Sequence, residues 1–151
     1  MSASSPTKEA SMPSVFTRII AGELPGRFVW RDPDVVAFLT INPLKPGHTL
    51  VVPRREVDDW VDLDPALSSK VFDAARRVAR GVAKAFPCKK VGVIVAGLEV
   101  PHVHVHLVPI TGLHDLDFDR QDRNPDPHAL DEAAARLRTS LRALGEAAVA
   151  D

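Results

Sequence analysis

The stretch VPHVHVHLVP, residues 100–109, sets His102, His104 and His106 in strict alternation with Val103, Val105 and Leu107. A repeat of two is the period of a β-strand, so each kind of side chain keeps to one face. The apolar set is then the core face, and the histidines line a surface or cleft. Successive histidines stand roughly 6.6 Å apart on a strand rising ~3.3 Å per residue. The 151-residue chain contains only six histidines, so this concentration calls for a chemical reading.

Imidazole titrates at about 6.5. Three in a row resist charging together at neutral pH, because each bound proton repels the next. Such a row offers a neutral nucleophilic nitrogen beside donors that can hold anionic oxygens, a combination suited to attack at phosphorus. Two other readings stand beside it. The histidines can be plain polar surface residues. They can also hold a metal: a pair at i and i+2 can chelate zinc, with His48 or His114 completing the set. Against the metal, the third histidine lies ~13 Å along the strand from the first, and no carboxylate or cysteine pattern typical of zinc accompanies them.

Composition narrows the partners. The net charge of −1 supplies no global basic field for nucleic acid or an anionic membrane. No apolar run approaches the ~20 residues of a membrane span, and with no tyrosine and few aromatics a base-stacking platform for single strands is disfavoured. The single cysteine, Cys88, cannot form an internal disulfide, which fits a reducing cytoplasm. The opening MSASSPTKEASMPS lacks an apolar signal core.

The length fits one domain over residues 13–151, after a small, polar and disordered tail at 1–12. SVFTRIIAGELP predicts a short helix with Val15, Phe16, Ile19 and Ile20 on one face. RFVWR, DVVAFL and HTLVVP predict strands, the first two joined by the turn at Asp32–Asp34. Asp64 and Pro65 open a long helix that Pro87 ends. VGVIVAG and EVPHVHVHLVPI predict an antiparallel pair, residues 114–127 a polar loop, and residues 127 to about 148 a final helix capped by Asp126. The class is α+β with a mostly antiparallel sheet.

HVHVHLV, residues 102–108, is similar to the His-φ-His-φ-His-φ-φ signature of the histidine triad (HIT) superfamily, φ being apolar. VFTRIIAGELPGRFVW and VVAFLTINPLKPGHTLVVPRRE resemble further segments of that family, so the likeness runs from about residue 14 to 110. The resemblance implies a five-stranded antiparallel sheet with two main helices, and a homodimer that joins two sheets into a ten-stranded one. It implies hydrolysis or transfer of nucleotidyl groups, from a nucleoside phosphoramidate or dinucleoside polyphosphate type of substrate, without a cofactor. His104 would be the nucleophile, forming a nucleotidyl-imidazole intermediate. His102 and His106 would bind or donate protons to phosphate oxygens and the leaving group, and His48 would support their orientation. A purine nucleoside monophosphate or derivative would lie against Phe16, Ile19, Phe38, Leu39, Ile41 and Leu50.

Several positions depart from the family pattern. Thr40 stands where relatives carry an aspartate that accepts from both ribose hydroxyls, and charge-assisted bonds are the stronger ones. Leu98 replaces a glutamine that in relatives contacts phosphate or the leaving group, and Glu99 stands where some relatives have a small hydroxyl residue. Some bacterial relatives hold structural zinc through Cys-X-X-Cys and a histidine, where this chain has Ser14, Thr17 and Glu56, so no structural zinc is expected. Arg54 and Arg55 read as a solvated rim, and Cys88 as a packing residue. Two rival functions follow: a catalytically weak dimeric nucleotide-binding module, or a metal-dependent hydrolase.

Overall fold

A computed structural model describes residues 12–151; the expected tail lies outside them except for Met12. The elements are α1 (Val15–Ile20), β1 (Phe28–Arg31), β2 (Val35–Leu39), β3 (Thr49–Pro53), α2 (Pro65–Ala85), β4 (Lys90–Ile94), β5 (Val105–Ile110) and α3 (Pro127–Ala143). One five-stranded antiparallel sheet runs in the order β1-β2-β3-β5-β4. Both main helices begin as their residues dictate. The Asp64 carboxylate accepts from Leu67 N–H and that of Asp126 from His128 N–H, each with proline in the first turn.

The two faces of the sheet are unequal. Val35, Ala37, Leu39, Val51, Val105 and Leu107 point to the face covered by α2 and α3, forming the main core with Val71, Val78 and Leu137. Val36, Phe38, Leu50 and Val52 point to the other face, under Phe16 of the six-residue α1. β2 and β3 are therefore buried on both sides, which explains their unbroken apolar sequences.

The final helix stops at Ala143, short of the expected residue 148. Gly145 takes φ +82°, and Glu146 N–H donates to Leu141 O at 3.1 Å, closing the last turn. The chain beyond runs along β1: Arg31 N–H donates to Ala148 O at 2.8 Å, and Ala150 N–H to Val29 O at 3.0 Å. One edge of the sheet is thus covered by the chain's own end. Residues 114–127 are not a plain loop, since the 3-10 turn Leu113–Leu116 runs into them and a second, Phe118–Arg120, lies within them. Among the described residues, no helix is long and apolar enough to cross a membrane.

Candidate functional site

β5 begins at Val105, so of the three alternating histidines only His106 lies in the ladder. The strand expected over residues 99–110 is shorter because Pro101 has no N–H to pair and the backbone turns beside it. His102 N–H donates to Val100 O at 2.8 Å, and Val103 N–H to Val57 O at 2.8 Å. The alternation of faces persists all the same. Val103, Val105 and Leu107 belong to the main core. The rings of His102 and His104 meet Phe16 edge-on across the sheet's other face, at centroid separations of 5.9 and 4.8 Å. His104 and His106 are 4.9 Å apart, closer than strand rise alone gives.

The face expected to be a surface or cleft is largely closed to solvent. His102 is 0% exposed, His48 1% and His104 6%. Phe16 of α1 lies against the first and last of these, and His106 and Phe118 against His48. Of the four rings only that of His106 belongs to a part-exposed residue.

Hydrogen bonds then assign the ring protons. A carbonyl only accepts, so His102 carries its proton on Nε2, 2.8 Å from Pro53 O, and its Nδ1 accepts from Ser14 Oγ at 2.7 Å. Nδ1 of His104 donates to His102 O at 2.7 Å, so in the neutral ring Nε2 is the free lone pair. Among the described residues that nitrogen has no hydrogen-bond partner. Leu44 N–H donates to His48 Nδ1 at 2.9 Å, which puts the His48 proton on Nε2. That proton points to His106 Nδ1, 2.9 Å away, and leaves the His106 proton on Nε2. The site therefore presents an acceptor, His104 Nε2, beside a donor, His106 Nε2–H, without any charged ring.

Electrostatics agree with this assignment. Burial, then the neighbouring charges of His106 and His104, push the His48 pKa down to about 3. Burial, then His104, pushes His106 down to about 4. Burial lowers His102 against the opposing pull of Pro53 O and Glu56, and lowers His104 against that of His102 O and Glu99. Desolvation, more than mutual repulsion, keeps the rings neutral. His102, with no exposed surface and both nitrogens engaged, is not placed to donate to a phosphate as expected; it touches His104 through its carbonyl.

The remaining candidates divide. Phe16, Phe38 and Leu50 form one cluster with Ile19 against it, and Leu50 pairs with His106 across the ladder. Thr40 is half-buried, and its hydroxyl accepts from Asn42 N–H at 3.2 Å. Leu39 does not reach this face, because it alternates with Phe38 and enters the core behind the sheet. Ile41 is 67% exposed and Leu98 93%. Glu99 is exposed, and its charge favours a proton on His104. Arg54 donates to Asp32 O at 2.8 Å and Arg55 pairs with Asp64 at 3.2 Å, as rim residues do. His114 and His128 are surface residues.

Sequence reasoning missed Phe118, whose ring lies edge-on to His106 at 5.0 Å and to His48 at 6.4 Å. A lone aromatic inside the polar run HDLDFDRQDRNPDP was the available signal. Its segment is tied down by buried Asp115, which accepts from Thr111 N–H at 2.8 Å, and by Asp122 N–H, which donates to Pro43 O at 2.9 Å.

The positions matched to zinc ligands do come together: Ser14, Thr17 and Glu56 meet beside His102. Two hydroxyls with one carboxylate and one ring are not a structural-zinc set, which draws on Cys, His and carboxylate. The residues present do not fit that metal.

Comparison with known proteins follows the same lines. A family model described as "HIT domain" matches residues 21–113. An uncharacterized HIT-like protein of Mycobacterium tuberculosis is 31% identical over 93% of this chain and 100% of its own length. A bis(5'-nucleosyl)-tetraphosphatase (asymmetrical) of Schizosaccharomyces pombe is 38% identical over 48% of this chain and 43% of its own. The crystal structure of a zinc-bound histidine triad family protein from Mycobacterium smegmatis superposes with a TM-score of 0.77 at 28% identity, over 89% of this chain and 97% of that one.

Proposed function

The chain belongs to the HIT family, and from that premise we propose that it hydrolyses or transfers nucleotidyl groups through a covalent intermediate on His104. The observation that carries the reading is the 2.7 Å bond from His104 Nδ1 to His102 O, which leaves a lone pair on Nε2 at neutral pH. In the first step that lone pair attacks the α-phosphorus, a P–N bond forms, and the bond to the leaving group breaks with its electron pair. His106 Nε2–H, fixed by His48, hydrogen-bonds a phosphate oxygen as charge develops there. In the second step water attacks phosphorus, the P–N pair returns to His104 Nε2, and the nucleoside monophosphate departs while the displaced proton passes to solvent.

The hydrogen bonds also favour one leaving group. With Nδ1 occupied by the His48 donor, His106 is held as a neutral hydrogen-bond donor and not as an imidazolium acid. A phosphate leaving group departs as an anion and needs no proton, whereas an amine does. A dinucleoside polyphosphate is therefore the favoured substrate class, in line with the tetraphosphatase among the relatives. The base would lie against Phe16, Ile19, Phe38 and Leu50, and the sugar near Thr40.

A second copy is part of this reading. The outer edge of β1 is covered by residues 148–150. β4 pairs only with β5 among the described residues, and Val93 on it is 53% exposed. An uncovered edge invites another strand, and β4-to-β4 pairing would give the ten-stranded sheet; a mass by light scattering of a monomer would exclude it.

The decisive experiment supplies a dinucleoside polyphosphate and, separately, an adenosine phosphoramidate, quenches in base and weighs the intact protein. A nucleotidyl adduct absent from His104→Asn, with faster monophosphate release from the polyphosphate, is the expected result. Undiminished turnover by His104→Asn would overturn the mechanism. Equal binding with no turnover by either protein would favour a binding module, and loss of turnover on chelation a metal-dependent hydrolase.

A further inference from the structure

The residues beside His102 form a connected set that the reaction above does not use. The Glu56 carboxylate takes two hydrogen bonds on one oxygen, from Ser14 N–H at 2.9 Å and from the Thr17 hydroxyl at 2.6 Å. Thr17 thereby spends its only hydroxyl proton on Glu56. Ser14 Oγ accepts from Thr17 N–H at 3.0 Å as the helix cap, so its own proton is free to go to His102 Nδ1 at 2.7 Å. The competing approach, Thr17 Oγ1 to the same nitrogen, is longer at 3.4 Å. His102 is held at its far side by Pro53 O, and the next residue by Val57 O. Every polar group of this residue's ring is fixed, and so is the peptide that bears its carbonyl.

We propose that Glu56, acting through Thr17 and Ser14, is a positioning device that locks His102 so that its carbonyl holds His104 in the Nδ1–H tautomer. This inference rests on the reading of His104 as nucleophile. Its physical content is tautomer control. In free histidine the Nε2–H tautomer is the more populated, and a ring in that state has no lone pair on Nε2 to offer. A carbonyl 2.7 Å from Nδ1 reverses the preference. The carbonyl can do so only while its peptide stays in place, and the segment is not held by the ladder, which begins at Val105. Glu56 itself is exposed and touches neither His104 nor the apolar cluster of Phe16 and Phe38 in the described contacts. Its effect is relayed through direct contacts between residues distant in sequence, since Ser14 and His102 are 88 residues apart yet 2.7 Å from each other.

The charge of Glu56 is a separable matter. Desolvation raises its pKa, but the Ser14 and Thr17 bonds outweigh that and hold it below the ordinary value. Glutamine retains a carbonyl oxygen able to accept from both donors, whereas alanine retains none. If positioning is the role, Glu56→Gln keeps the function and Glu56→Ala loses it. If the negative charge beside His102 is what matters, both variants fail alike.

The test combines two readouts on ligand-free and turning-over protein. Imidazole 15N shifts in uniformly labelled protein report the proton location on His102 and His104 without any substrate, and backbone amide spectra confirm that each variant is folded. In wild type, His104 Nε2 is expected at the unprotonated position. In Glu56→Ala and Thr17→Val it is expected to move toward the protonated position, with kcat falling about tenfold to a hundredfold and KM within about twofold. Glu56→Gln should stay near wild type in both. A His104 tautomer unchanged in Glu56→Ala would overturn the proposal whatever happens to kcat, and so would failure of glutamine to rescue. Wild type that shows the expected tautomer but no nucleotidyl turnover would sink the proposed function and leave the positioning intact.

Discussion

Nε2 of His48 lies 2.9 Å from Nδ1 of His106, and His48 in turn accepts from the backbone of Leu44. Two rings joined this way share one proton along a fixed direction. They cannot both take up a second proton without breaking a bond, in addition to the burial that already opposes charge.

Stability should therefore depend on pH in the weakly acid range. The unfolded chain protonates these histidines below their ordinary value of 6.5, while the folded chain does not until about 4 for His106 and about 3 for His48. The unfolded state binds more protons over that window, so stability is complete above 6.5 and falls as pH drops toward 4. Each such histidine costs about 1.4 kcal/mol per pH unit there. Urea midpoints at pH 7.5 and pH 5 should fall with an unchanged slope; equal midpoints would contradict the burial argument.

Phe118→Ala tests what shields His106. Desolvation is the main cause of its depressed pKa, and the Phe118 ring lies 5.0 Å from it. Removing the ring admits water, so the pKa should climb from about 4 toward 6.5. Proton NMR titration of the ring signals reads this directly. No movement would mean that other walls exclude the water.

Gly47→Ala should damage the site from behind. Gly47 has φ +98°, and an added Cβ would stand 2.6 Å from the Phe86 ring. Backbone strain and overpacking together cost about 2–4 kcal/mol. Since the next residue is His48, thermal unfolding should drop and the His48–His106 bond should weaken; an unshifted melting curve would refute the clash.

Leu39 and Leu98 make a contrasting pair. Leu39→Ala removes a core side chain and should cost about 2–5 kcal/mol, with nucleotide affinity of the folded fraction unchanged. Leu98→Ala, at a position 93% exposed, should change stability by less than about 0.5 kcal/mol. Denaturant curves and equilibrium dialysis of a nucleoside monophosphate check both. A loss of affinity in Leu39→Ala would place that side chain on the wrong face.

Much of this was legible before any coordinates. Asp64-Pro65 and Asp126-Pro127 announce their helices because caps and first-turn prolines act locally. Alternation separated the valines from the histidines because it depends only on strand period. The same rule excludes Leu39 from a surface containing Phe38, although a uniformly apolar VVAFL hides which residues face which way. The burial of His102 was not legible: it depends on Ser14, brought over it from the far end of the sequence. Nor was the stop at Ala143, because AAVA after Gly145 still reads as helix-friendly and only its pairing with β1 shows otherwise.

The unequal faces of the sheet divide the labour of the molecule. The bulk of the scaffold's cohesion sits behind it, with α2 and α3, while the rings of His102 and His104 and the short α1 sit in front. A chain built this way can be re-tailored on the α1 side for new ligands with little erosion of its foldedness. Mutant libraries confined to that side should consequently yield many intact proteins with altered selectivity, and libraries confined to the opposite side mostly aggregates.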